Sequence, residues 1–158
     1  MNRNFNEKFM KKAIKTAQKN LEKEDGGPFG AVIVKNGQII SSGRNLVLKT
    51  NDPTMHAEIV AIKKASKKLN TFDLSDCELY TTCEPCPMCM GAVFWAKIKK
   101  VYFGCTRKDA EKIGFSDNYI YEAFEKNFEI ENFNIENKGR NECIELFKEW
   151  DKKERNMY

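Results

Sequence analysis

The sequence predicts a three-layer α/β/α sandwich around a central mixed five-stranded sheet. Three features lead there: segments that alternate as α-β-β-α-β-α-β-α-β-α, a tight hairpin turn between the first two strands, and a length of 158 residues, enough for one full hydrophobic core but not two. Residues 1–158 are therefore read as a single domain, with no internal repeat and no low-complexity linker.

Residues 4–23 carry Phe5, Phe9, Ala13, Ala17 and Leu21 at four-residue steps, the stripe of an amphipathic helix. Asp25-Gly26-Gly27-Pro28 ends it, because two glycines and a proline do not continue a helix cheaply. Ala31–Val34 reads as a buried strand, Asn36-Gly37 as a type I′ turn, and Ile39-Ile40 as the start of the antiparallel return strand. Asp52 and Pro53 offer an N-cap and a first helical residue, opening a helix to about Leu69. Cys77–Thr82 then reads as a strand, Pro85 or Pro87 to Ala96 as a short apolar helix, Lys100–Gly104 as a strand, and 107–113 and 117–126 as helical. Phe128–Ile135 alternates hydrophobic and polar residues and supplies the expected fifth strand. Arg140–Trp150 places Cys143, Leu146, Phe147 and Trp150 on one helical face.

Composition narrows the function classes. With 41% hydrophobic and 32% charged residues, the chain is neither disordered nor fibrous. It has no apolar run near the ~20 residues that cross a bilayer, and its start lacks a signal-peptide core, so a cytoplasmic location and no membrane partner are expected. In a reducing cytosol the six cysteines read as free thiols or metal ligands, and four of them (Cys77, Cys83, Cys86, Cys89) fall within thirteen residues. The net charge of +4 and pI of 8.7 come largely from lysines scattered along helices. From Glu125 to Trp150 seven acidic residues oppose four basic ones, a balance that does not suit a phosphate backbone; no nucleic-acid partner is expected.

The only histidine, His56, stands in Met55-His56-Ala57-Glu58, and thirty residues on comes Glu84-Pro85-Cys86-Pro87-Met88-Cys89. Cysteines three apart at a helix start share one turn, where backbone N–H groups favour thiolate. With His56 as a third ligand, Cys86 and Cys89 leave the fourth tetrahedral position for water, the mark of a catalytic zinc. Two thiolates and one neutral imidazole cancel the ion's charge, so water there is acidified less than at a three-imidazole site and an adjacent base is needed. Glu58, two residues after the histidine, fills that role without ligating the metal. Together these residues point to hydrolytic removal of an amino group from an aromatic ring.

His-x-Glu with Pro-Cys-x-x-Cys is the established signature of zinc nucleobase deaminases. From about Gly26 to Tyr121 the chain resembles the cytidine deaminase-like superfamily, and within it the bacterial guanine deaminases. The matching segments are 27–34 (GPFGAVIV), 51–58 (NDPTMHAE), 83–92 (CEPCPMCMGA), 92–96 (AVFWA), 114–117 (GFSD) and the C-terminal tyrosine. The resemblance implies one zinc per chain, with water attacking C2 of guanine to give xanthine and ammonia. It implies that Asn45 hydrogen-bonds the purine carbonyl, that Phe29 and Trp95 hold the flat ring beside His56, that Ala57 lines the substrate site, and that Asp117 accepts from the N–H edge. Tyr158 resembles a polar lid on a C-terminal segment, about residues 140–158, exchanged between the subunits of a homodimer.

Each residue also has a plainer reading. Cys83 with Cys86, Cys89 and His56 would make a closed structural site without water. On local evidence Phe29 and Trp95 read first as core, Asn45 equally as a turn residue, Asp117 as an N-cap, and Tyr158 as a frayed end. Met88–Ala96, apolar nearly all round, is buried either by a partner subunit or within its own chain. A tRNA adenosine deaminase, a guanosine or cytosine deaminase, and a non-catalytic zinc module remain as rival functions.

Overall fold

The computed structural model describes residues 5–153 and 157–158. Two compact units are present, Met1–Asp117 and Asn118–Tyr158. The first holds α1 (Glu7–Glu22), β1 (Gly30–Lys35), β2 (Gln38–Arg44), α2 (Val47–Thr50), α3 (Ala57–Leu69), β3 (Cys77–Cys83), α4 (Pro87–Trp95), β4 (Lys100–Cys105) and α5 (Arg107–Lys112); the second holds α6 (Asn118–Glu125) and α7 (Arg140–Asp151). No helix of the described residues is long and apolar enough to cross a membrane.

Four strands in the order β2-β1-β3-β4 make one mixed sheet: β1 runs antiparallel to β2 and β3, and β3 runs parallel to β4. The β1–β2 turn has Asn36 at φ 50° and Gly37 at φ 74°, the two left-handed residues a type I′ turn requires. Side chains alternate across β1 and so divide the core into two layers. Val32, Val34 and Tyr80 pack with Phe9 and Ala13 of α1 on one face. Ala31, Ile33 and Leu79 pack with Ala57, Ala61 and Ala65 of α3 and Val93 of α4 on the other.

The helices lie close because glycine lets them. A Cβ on Gly43 of β2 would stand 2.4 Å from the Ala57 carbonyl oxygen and 2.7 Å from the Ala61 nitrogen. Backbone cannot yield to such an atom as a side-chain tip can, so Gly43→Ala is expected to push α3 off the sheet. The expected cost is about 1–3 kcal/mol, read as a lowered Tm. An unchanged Tm would show that α3 does not need this contact distance.

The expected architecture is corrected in two places. The segment 128–135 is not a fifth strand. Asn127, Phe128 and Asn132 have φ of 49°, 66° and 61°, which break an extended backbone, and local turns such as Phe128 N–H to Ala123 C=O (2.7 Å) use its polar groups. Its alternation serves a small aromatic cluster instead, with Phe124 and Phe133 rings 5.0 and 6.3 Å from that of Phe128. The third helix also starts later than expected. Asp52 Oδ1 accepts from the Thr54 N–H (2.8 Å) and hydroxyl (2.6 Å), so Asp52-Pro53 forms a turn, and His56 is the residue that caps α3.

Candidate active site

Two helix starts are brought together on one face of the sheet. His56 is the N-cap of α3 and Cys86 the N-cap of α4, both with extended backbone, and Cys89 follows in the first turn of α4 with Pro87 preorganising its entry. The Nδ1 atom of His56 lies 3.6 Å from Cys86 Sγ and 3.6 Å from Cys89 Sγ. A tetrahedral zinc with bonds of about 2.3 Å to sulfur and 2.0 Å to nitrogen holds such donors about 3.6 Å apart. The three donor atoms lie within 4.8 Å of one another, and among the described residues they are the one group of this kind. The donor set therefore fits zinc and leaves one tetrahedral corner open.

Cys83 does not close that corner. Its sulfur faces the Thr106 carbonyl oxygen at 3.7 Å, and burial pushes its thiol up to about 12. It is an inert, buried sulfur at the end of β3, and the closed four-ligand arrangement is not built.

Glu58 sits in the first turn of α3, 6% exposed. Its Oε1 accepts a 3.1 Å hydrogen bond from the Thr81 hydroxyl, and its Oε2 lies 3.5 Å from Cys89 Sγ. Burial raises its pKa above the ordinary carboxylate value. Taken as protein groups alone, the two cysteines divide their roles. A hydrogen bond from Cys89, with help from His56, lowers the Cys86 sulfur to about 4, while the same Cys86 contact raises Cys89. The hydrogen bond to Cys86 in turn raises His56.

The cytidine and deoxycytidylate deaminase zinc-binding region, as a family model, matches residues 3–105. The chain belongs to this deaminase family. Guanine deaminase of Bacillus subtilis (strain 168) is 51% identical over 120 residues, 76% of this deaminase and 77% of that protein. Its X-ray structure superposes with a TM-score of 0.83 at 40% identity, covering 99% and 100% of the two chains. A tRNA-specific adenosine deaminase of Aquifex aeolicus (strain VF5) is 48% identical over 102 residues, 65% and 67% of the respective chains. A mutant of a further protein, solved in complex with 8-azaguanine, gives a TM-score of 0.65 at 35% identity, covering 74% of this chain and 70% of that one.

Around the deaminase's metal set the structure sorts the remaining sequence-predicted residues. Asn45, just past β2, is 5% exposed; its Oδ1 accepts from the Val47 N–H at 3.1 Å, which leaves Nδ2 as a donor without a partner among the described residues. The turn role thus occupies the oxygen of this side chain and leaves its nitrogen. Phe29 is half-buried and meets Phe115 edge-on, with ring centroids 4.9 Å apart. Ala57, next to His56 in sequence, is fully buried against the sheet and serves packing. Asp117 is half-buried; burial raises its carboxyl, with opposing help from Arg107 and repulsion from Cys86 and Glu84, which places it in the electrostatic reach of the metal set.

Trp95 ends α4 with 68% exposure, and Phe94 beside it is 74% exposed, so neither is core and α4 is not buried on both sides within its own chain. Tyr158 belongs to the second unit and is exposed. Cys105 and Cys143 are exposed as well.

Sequence reasoning missed the contacts of Thr81 and Phe115. A signal existed for the first: Thr81 interrupts the apolar β3 face of Cys77 and Leu79, opposite Ala31, where a hydroxyl is buried only if something accepts from it.

Proposed function

We propose that this deaminase hydrolyses guanine to xanthine and ammonia, with one zinc per chain held by His56, Cys86 and Cys89. The observation that carries the reading is the buried carboxylate of Glu58 beside, but outside, a three-donor metal set. Zinc in that set supplies the Lewis acidity that makes water nucleophilic near neutral pH. Glu58 takes a proton from the attacking water as its oxygen bonds to C2 of the base, and passes it to the ring nitrogen. Glu58 then takes the remaining proton from the C2 hydroxyl of the adduct and delivers it to the exocyclic amine, so that the C2–NH₂ bond breaks, ammonia leaves and the C2 carbonyl forms. Thr81 holds Oε1 of Glu58, so Oε2 is the oxygen that works.

Guanine as the substrate is supported by the likeness to the Bacillus enzyme and to the chain solved with 8-azaguanine. Asn45 Nδ2 donates to the purine carbonyl, Asp117 accepts from the N–H edge, and Phe29, steadied by Phe115, holds the ring near Ala57 and His56. Trp95 and Tyr158, exposed in the single chain, take ring-holding and lid roles within a homodimer. The exposed Phe94 and Trp95 and the apolar groove of Met90, Val93, Ile98 and Val101, with a cavity of about 740 Å³, support a partner surface there.

The test is ammonia release from zinc-loaded protein over a panel of guanine, guanosine, cytosine and a tRNA anticodon stem-loop. Turnover confined to guanine-like bases is expected; a rate on the stem-loop exceeding that on guanine would reassign the substrate. Asp117→Asn is expected to raise KM for guanine about tenfold or more while zinc content stays at the wild-type level. Loss of zinc in that variant would make Asp117 a structural residue instead. Removal of the terminal Met157-Tyr158 is expected to raise KM several-fold, and unchanged kinetics would remove the lid.

A further inference from the structure

We propose that Asn20 is a positioning residue for the base-recognising donor on Asn45, and through it for the enzyme's preference for a carbonyl-bearing purine. The proposal rests on the guanine reading given above.

Asn20 lies in the last turn of α1, outside every matching segment of the sequence, yet its side-chain amide is fully engaged. Its Nδ2 donates 2.8 Å hydrogen bonds to the carbonyl oxygens of Gly27 and Asn45, and its Oδ1 accepts from Arg44 Nε at 2.8 Å. A guanidinium only donates, so the amide has one orientation. Arg44 is in turn paired with Asp25, whose carboxyl it holds below the ordinary value, and Lys49 Nζ stands 3.9 Å from the same carboxylate. One side chain thus ties a sixteen-residue helix to the glycine loop at 25–28 and to the end of β2.

Asn45 is held at every polar atom except the one a ligand would use. Its N–H donates to the Phe29 carbonyl oxygen at 3.1 Å, its C=O accepts from Asn20, and its Oδ1 accepts from Val47. Gly26 presses on the same residue: a Cβ there would stand 2.2 Å from Asn45 Oδ1 and 2.9 Å from its carbonyl oxygen. Among these constraints Asn20 alone anchors Asn45 to a long helix; the others come from loops and from the four-residue α2. A donor shifted by an ångström misses its acceptor, so loss of Asn20 falls on base recognition and spares the metal set on the other helices.

A double-mutant cycle on the zinc-loaded enzyme tests this, with kcat and KM for guanine measured in wild type, Asn20→Ala, Asn45→Ala and the double variant. Asn20→Ala is expected to lower kcat/KM about tenfold, mainly through KM, with wild-type zinc content. In the Asn45→Ala background the same change is expected to cost little further, because the donor it positions is gone. Asn20→Ser, which keeps one donor, is expected to fall between, and stands in if the alanine variant does not fold. Equal losses in both backgrounds would overturn the proposal while leaving guanine as the substrate. No guanine turnover by the wild type would overturn the substrate reading and this proposal together.

Discussion

Glu58→Gln is expected to reduce guanine turnover by about 10²–10⁴-fold while the protein keeps its zinc. Glutamine matches the shape of glutamate and still accepts the 3.1 Å hydrogen bond from Thr81, so the packing at this 6% exposed position is preserved. What is lost is the ability to take a proton from water and to hand one to the departing amine. Both transfers use the same group, so the effect falls on kcat, and substrate affinity is expected to change little. Parallel measurement of zinc by atomic absorption and of kcat by ammonia release separates the outcomes. Near-normal turnover would remove the proton-transfer role, and loss of zinc together with activity would make Glu58 part of the metal site.

The second large effect concerns sulfur. Cys89→Ser is expected to lose most of the bound zinc and all measurable turnover, whereas Cys83→Ser is expected to retain both. The two cysteines stand only six positions apart, and both are buried, but their surroundings differ. Cys89 lies in the first turn of α4 with its sulfur 3.6 Å from His56 Nδ1, inside the three-donor group. Cys83 ends β3 with its sulfur turned to the Thr106 carbonyl oxygen, and burial keeps it protonated at about 12. Hard serine oxygen is a poor substitute for a soft thiolate toward zinc, so the loss at position 89 is specific to ligation. Zinc retained by Cys89→Ser and lost by Cys83→Ser would exchange their roles.

The metal set was legible in the sequence because its logic is local. Cysteines at 86 and 89 share a helical turn wherever that helix lies, and a chain with one histidine leaves no choice of imidazole. The charge of that set called for an adjacent carboxylate, and Glu58 does lie against Cys89. Thr81 left only the trace of a hydroxyl on an apolar strand face, and Asn20 left none, because an asparagine in the last turn of an amphipathic helix looks ordinary until Asn45 is placed against it. The start of α3 was misread because Asp-Pro serves a turn as readily as a helix cap. Alternation at 128–135 was misread because period two describes a strand only where extended backbone finds a partner, and the left-handed residues at 127, 128 and 132 prevent that. Trp95 shows the converse: neither apolar surroundings nor helical spacing told that α4 would expose its last two aromatic residues.

Zinc K-edge X-ray absorption on the loaded wild-type enzyme probes the open coordination corner most directly. Two sulfurs at about 2.3 Å, one imidazole nitrogen at about 2.0 Å and one exchangeable oxygen are expected. A first shell with three sulfurs and no oxygen would contradict the whole account, since no water would then stand within reach of Glu58.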